Sequence, residues 1–112
     1  MRIVDFGPAE GREINSFDSR HLWAVGLVRD DDVSVTALHV GAGGEIGRHP
    51  ATVDQLFLVV SGRGTVCGDD GEWQPVRAGQ AVVWAAGEHH TTRADGDLTA
   101  IVVEMPDLPV TR

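Results

Sequence analysis

The chain has a single cysteine, Cys67, no tyrosine and no lysine, and its apolar runs fall far short of the roughly 20 residues that would cross a bilayer. One thiol cannot close an intramolecular disulfide, so folding does not call for an oxidising compartment. The opening residues, MRIVDFGPAE, carry acids and a proline where an export signal would be basic and then apolar. All nine basic residues are Arg, against 17 Asp and Glu, for a net charge of -8. That balance repels phosphate backbones and anionic lipid. No nucleic-acid partner and no membrane partner is expected, and the cytoplasm is the expected location. A Gly-rich phosphate loop followed by Lys, a nucleophile elbow and paired Cys-x-x-Cys sites are also missing.

What is present is enough for one compact domain: 112 residues, 42% of them hydrophobic. The apolar residues keep no helical period over any long window. They form short Val-rich runs at 22–28, 33–40, 54–60, 64–68, 72–76, 80–84, 89–93 and 98–104. Eight short strands predict an all-β sandwich or barrel. Asp30-Asp31-Asp32, Ser61-Gly62-Arg63-Gly64, Asp70-Gly71 and Asp95-Gly96-Asp97 supply turn residues between antiparallel neighbours.

Two connections, Gly41-Ala42-Gly43-Gly44 and Ala85-Ala86-Gly87, lie shortly before histidines and read as loops whose backbone can approach a bound group. The run from Gln55 to Val60 is apolar on both alternating faces, which fits a strand covered by a second sheet or by a partner subunit. Residues 1–20 are less regular. Arg2–Phe6 reads as a short edge strand, and the whole segment as an arm packed on, or exchanged between, barrels formed by residues 21–112.

The chemistry-bearing residues lie between Gly41 and His90. The segment Gly44-Glu45-Ile46-Gly47-Arg48-His49-Pro50-Ala51-Thr52-Val53-Asp54-Gln55, with Gly62 after six more residues, resembles the first motif of the cupin superfamily. Gly79 followed by Ala85-Ala86-Gly87-Glu88-His89-His90 is similar to its second motif. The resemblance covers about half of the chain and implies a cupin-type jelly-roll β-barrel of two antiparallel sheets. It also implies one divalent transition-metal ion, held in the family by two histidines and a Glu of the first motif and a His of the second. Here His49 and His90 match the outer histidines, Ala51 stands at the second His and Gln55 replaces the Glu. The metal-ligand candidates are therefore His49, Gln55 and His90, and the loss of one ligand and one charge predicts weaker binding.

Adjacent residues on a strand point to opposite faces, so only one of His89 and His90 can look inward, and the motif selects His90. His39, on a face with Val33, Val35 and Ala37, is a further candidate for the lining, as are Trp84 at the pocket mouth and Phe57 deeper in. For each, the reading as core is the favoured one. Glu88 is the nearest acid to the second motif, with general-base or solvated readings, and Glu104, at the end of the last strand, has the same two readings. Cys67 reads as a small buried hydrophobe, and Arg48 and Arg63 as surface charges. Two function classes follow. One is a barrel that binds a small polar molecule through His49, Gln55 and His90, its metal site depleted. The other is a divalent-metal-dependent enzyme, an oxygenase or isomerase as the resemblance implies, using those residues as ligands. An interaction module is a third. In each, the apolar 55–60 strand predicts a homodimer.

Overall fold

The computed structural model describes all 112 residues. Nine strands follow in chain order: β1 (Arg12–Glu13), β2 (Arg20–Arg29), β3 (Ser34–Pro50), β4 (Gln55–Ser61), β5 (Arg63–Cys67), β6 (Trp73–Arg77), β7 (Ala81–Trp84), β8 (His89–Ala94) and β9 (Leu98–Glu104). All pairings are antiparallel, in the order β6-β5-β8-β3-β9-β4-β7, with β2 also on β3 and β1 on β2. The sheet curls into a nearly closed barrel, the all-β architecture expected of a jelly roll.

The expected loop at Gly41–Gly44 is part of a strand. β3 runs through it without a break, pairing with β9 over Ser34–Val40 and with β8 from Glu45 onward. Gly43 has φ +74, open to glycine, and a Cβ on Gly44 would lie 2.6 Å from the Arg20 carbonyl oxygen. Glycine therefore lets one strand turn a corner and serve both walls of the barrel, which is how β3 carries residues from the floor to His49. The turn before it is built by Asp30, whose Oδ1 accepts from the N–H groups of Asp32 and Val33. These two hydrogen bonds hold its carboxyl below the ordinary 3.8.

Side chains alternate in and out along each strand. Leu22, Val40, Ile46, Phe57, Val59, Val66, Trp84, Leu98, Ala100 and Val102 point inward and form one buried cluster. Outside, Leu56 and Leu58 of β4 pair with Val103 and Ile101 of β9 and stay half-buried, while Val60 and Val83 are exposed.

Arg2–Phe6 forms no strand; the pairing belongs to Arg12 and Glu13, opposite Ala24 and Trp23. The remaining arm holds two 3-10 turns, Pro8–Glu10 and Ser16–Asp18. The first lies near the outer face of β2, where a Cβ on Gly11 would come 3.2 Å from the Val25 side chain. The second crosses the end of the barrel at β3.

Candidate functional site

The barrel encloses a cavity of about 210 Å³, about seven waters at about 30 Å³ each. Its walls combine the apolar Leu22, Leu38, Phe57 and Trp84 with the polar Thr92, His49, His90, Gln55 and Glu104. The two motif histidines, 41 positions apart, meet because β3 and β8 pair in register at His49 and His90. Their Nε2 atoms are 3.0 Å apart and their rings perpendicular.

The hydrogen bonds fix the protons. A carbonyl oxygen only accepts, so His49 donates Nδ1–H to Gly47 O at 2.7 Å, and in the neutral ring Nε2 is then a bare lone pair. His90 then donates Nε2–H to it, which leaves His90 Nδ1 buried without a partner. Trp84 covers His90 with ring centroids 4.1 Å apart, and Phe57 meets Trp84 edge to face. Burial first, and then the neighbouring His49, His89 and Arg48, push the His90 pKa down from 6.5 to about 4. His90 is therefore neutral at physiological pH.

Gln55 and Glu104 form a second polar group. Gln55, only 6% exposed, donates Nε2–H to Glu104 Oε1 at 2.7 Å, and Ser34 Oγ–H donates to Oε2 at 2.8 Å. The carboxylate fixes the amide, because it can only accept; Gln55 Oε1 is left as an acceptor with no partner in the protein.

Of the six residues expected to line the site, five do: His49, Gln55, His90, Trp84 and Phe57. His39 does not. The cavity face of β3 carries Thr36 and Leu38, and His39 points outward, with Nε2 2.7 Å from Phe6 O and Nδ1 3.2 Å from Thr99 Oγ1. Alternation favoured the wrong face because the outward residues Val33, Val35 and Ala37 are all apolar, while the inward face carries Ser34 and Thr36. Ala37, fully buried, and Val25 lie on the outer face near the arm. His89 is exposed beside Asp69, and Glu88 braces its own loop by accepting from Ala85 N–H. Ala51 is buried, its N–H and C=O paired with Glu88 and Gly87.

Phe17 is the residue that sequence reasoning missed. Its ring stacks on His49 at 5.1 Å, and with Ile14, Ser16 and Ser19 it lines the cavity. The segment is drawn down by the Ser19 hydroxyl, which accepts from Gly47 N–H at 2.9 Å. Phe17 and Asp18 take φ +56 and +59, where non-glycine residues are strained. Only Gly47, two residues before the motif histidine, carried a hint: a Cβ there would strike the Phe17 backbone.

A family model described as a cupin domain matches residues 34–106. The chain belongs to the cupin family. This cupin overlays a predicted oxalate decarboxylase from Thermotoga maritima with a TM-score of 0.78 at 17% identity, covering 92% of this chain and 99% of that one. A Cupin 2 conserved barrel domain protein from Salinispora arenicola gives 0.76 at 20%, covering 96% and 90%. A conserved protein of unknown function from Streptococcus pyogenes gives 0.71 at 28%, covering 78% and 75%. No curated protein matches the sequence.

Cupins often bind a metal, and the residues here meet that requirement in part. Two imidazole nitrogens 3.0 Å apart subtend about 90° at an ion held at about 2.1 Å from each. His49 has the carbonyl partner that orients a metal-bound imidazole. His90 has none, and no group of three His, Cys, Asp or Glu side chains is placed to share one ion. The set suits an ion with two imidazoles and mostly solvent, not one gripped by four protein ligands.

Proposed function

We propose that this cupin binds a small polar molecule inside its barrel, acting in the cytoplasm as a homodimer. The observation that carries the reading is the cavity itself. Its lining mixes apolar walls with polar groups, two of which are already oriented: Gln55 by Glu104, and His49 by Gly47. Preorganised acceptors in a partly apolar enclosure select a ligand by its donors at little cost in protein ordering. Leu56, Leu58, Ile101, Val103 and the exposed Val83 put apolar side chains on one outer wall, which supports pairing of two copies. Saturation-transfer NMR with polar fragments of up to about ten non-hydrogen atoms tests the binding. Hits lost in Gln55→Ala are expected; no hit at millimolar concentration contradicts the reading. Leu58→Asp should leave a folded monomer in sedimentation, and an unchanged or already monomeric species contradicts the dimer.

The separation of the His49 and His90 nitrogens favours a second reading, a metal-dependent enzyme. His49 and His90 would hold the ion, with Gln55 Oε1 the remaining candidate donor. The ion, when bound, would polarise a substrate oxygen. Elemental analysis of protein purified without an affinity tag separates the two readings. Near-stoichiometric metal that disappears in His49→Ala establishes the enzyme-type site; little metal in both variants leaves the binding barrel.

A further inference from the structure

Glu104 is not used by either histidine, and its surroundings specify what the cavity accepts. It is a partly buried carboxylate whose two hydrogen bonds come from neutral donors, Gln55 and Ser34. The ion pairs of the molecule join Arg48 and His89 to Asp69, Arg63 to Asp95 and Arg93 to Glu45; Glu104 has no cation. No Arg lines the cavity, and the chain has no Lys. A carboxylate retains about four acceptor directions, of which two are taken. Beside it, Gln55 Oε1 has no partner in the protein, and the bond from one Nε2–H to Glu104 fixes which way it points. Trp84 and Phe57 add aromatic surface to the same chamber, and Trp84 pairs with Gln55 across β4 and β7. A corner with one uncompensated negative charge and a free amide oxygen beside an indole repels anions and attracts a cation with an apolar body. The net charge of -8 adds to that attraction at long range.

We propose that the cavity takes a small organic ammonium, its N–H groups donated to Glu104 and Gln55 Oε1 and its carbon skeleton laid against Trp84 and Phe57. The proposal rests on the ligand-binding reading above and names the chemical class. With a volume of about 210 Å³, the ligand has about six to ten non-hydrogen atoms.

Three probes with the same five-carbon skeleton test it: 3-methylbutylammonium, 3-methylbutanol and 3-methylbutanoate, titrated by calorimetry near neutral pH against metal-free protein. The ammonium should bind at least about tenfold more tightly than the alcohol, with no heat from the carboxylate. Glu104→Gln should erase the preference for the ammonium over the alcohol, and Glu72→Gln, which removes an exposed acid outside the cavity, should leave it intact. Circular dichroism melting confirms that each variant is folded, and the probe series on the wild-type protein stands without the variants. Equal or tighter binding of the alcohol or the carboxylate overturns the ammonium assignment while leaving a ligand-binding barrel. No binding of the ammonium at millimolar concentration also overturns it, whatever the fragment screen finds.

Discussion

Gly47→Ala tests how the arm closes the cavity. An added Cβ would lie 2.7 Å from the Phe17 carbonyl carbon and closer still to its oxygen. Both are backbone atoms, so the Ser16–Ser19 segment must lift. Lifting breaks the bond from Gly47 N–H to Ser19 Oγ and leaves that N–H in want of a partner, a loss of about 1 kcal/mol or somewhat more. It also separates Phe17 from His49, about another 1 kcal/mol. Replacing glycine in a strand returns about 0.5–1 kcal/mol. The net is a destabilisation of about 1–2 kcal/mol, or about 4–8 °C in Tm for a chain of this size. Thermal melting measures the first effect. Carbethoxylation of His49 and His90, followed by peptide mapping, measures the second and should quicken. An unchanged Tm with unchanged modification rates would refute the closed arm.

The buried histidine makes stability depend on pH. The His90 pKa is pushed down from 6.5 to about 4, so the native protein binds fewer protons than the unfolded chain between those values. Its contribution is complete above pH 6.5 and is lost as pH falls toward 4. The gap is worth at most about 3 kcal/mol, and water at the cavity mouth screens it to about 2 kcal/mol. Urea titrations of metal-free wild type and His90→Asn should diverge across that window, and parallel curves count against a buried neutral ring. His39→Ala should cost about 1 kcal/mol and speed proteolysis within residues 1–6, because it releases Phe6. It should leave fragment binding unchanged, and loss of binding would return His39 to the cavity.

Much of this arrangement was legible in the residues. The two motif histidines lie on β3 and β8, and strand pairing brings them together. Trp84 and Phe57 follow from inward alternation on β7 and β4. The inner face of β3 was not legible, since the arm lies near its outer face, where Val35 and Ala37 are apolar, while the inner face carries the polar Ser34 and Thr36. Nor was its continuity through Gly41–Gly44, because glycines that bend a strand and glycines that end one look alike in sequence. Phe17 was hidden for a different reason: a contact between the arm and the strand end depends on a left-handed backbone at Phe17 and Asp18, which favours glycine, yet neither residue is one. The partnership of Gln55 with Glu104 joins strands 49 positions apart and needs the register of β4 on β9.

The convergence of the two rings on one cavity is tested most directly by long-range 1H–15N correlation of the imidazoles in metal-free protein across a pH titration. Neutral His49 should appear as the Nδ1–H tautomer, and His90 should carry its proton on Nε2 and stay neutral until the pH approaches about 4. If His90 instead titrates near 6.5, as a solvent-exposed ring does, or if His49 carries its proton on Nε2, the two rings do not meet as described.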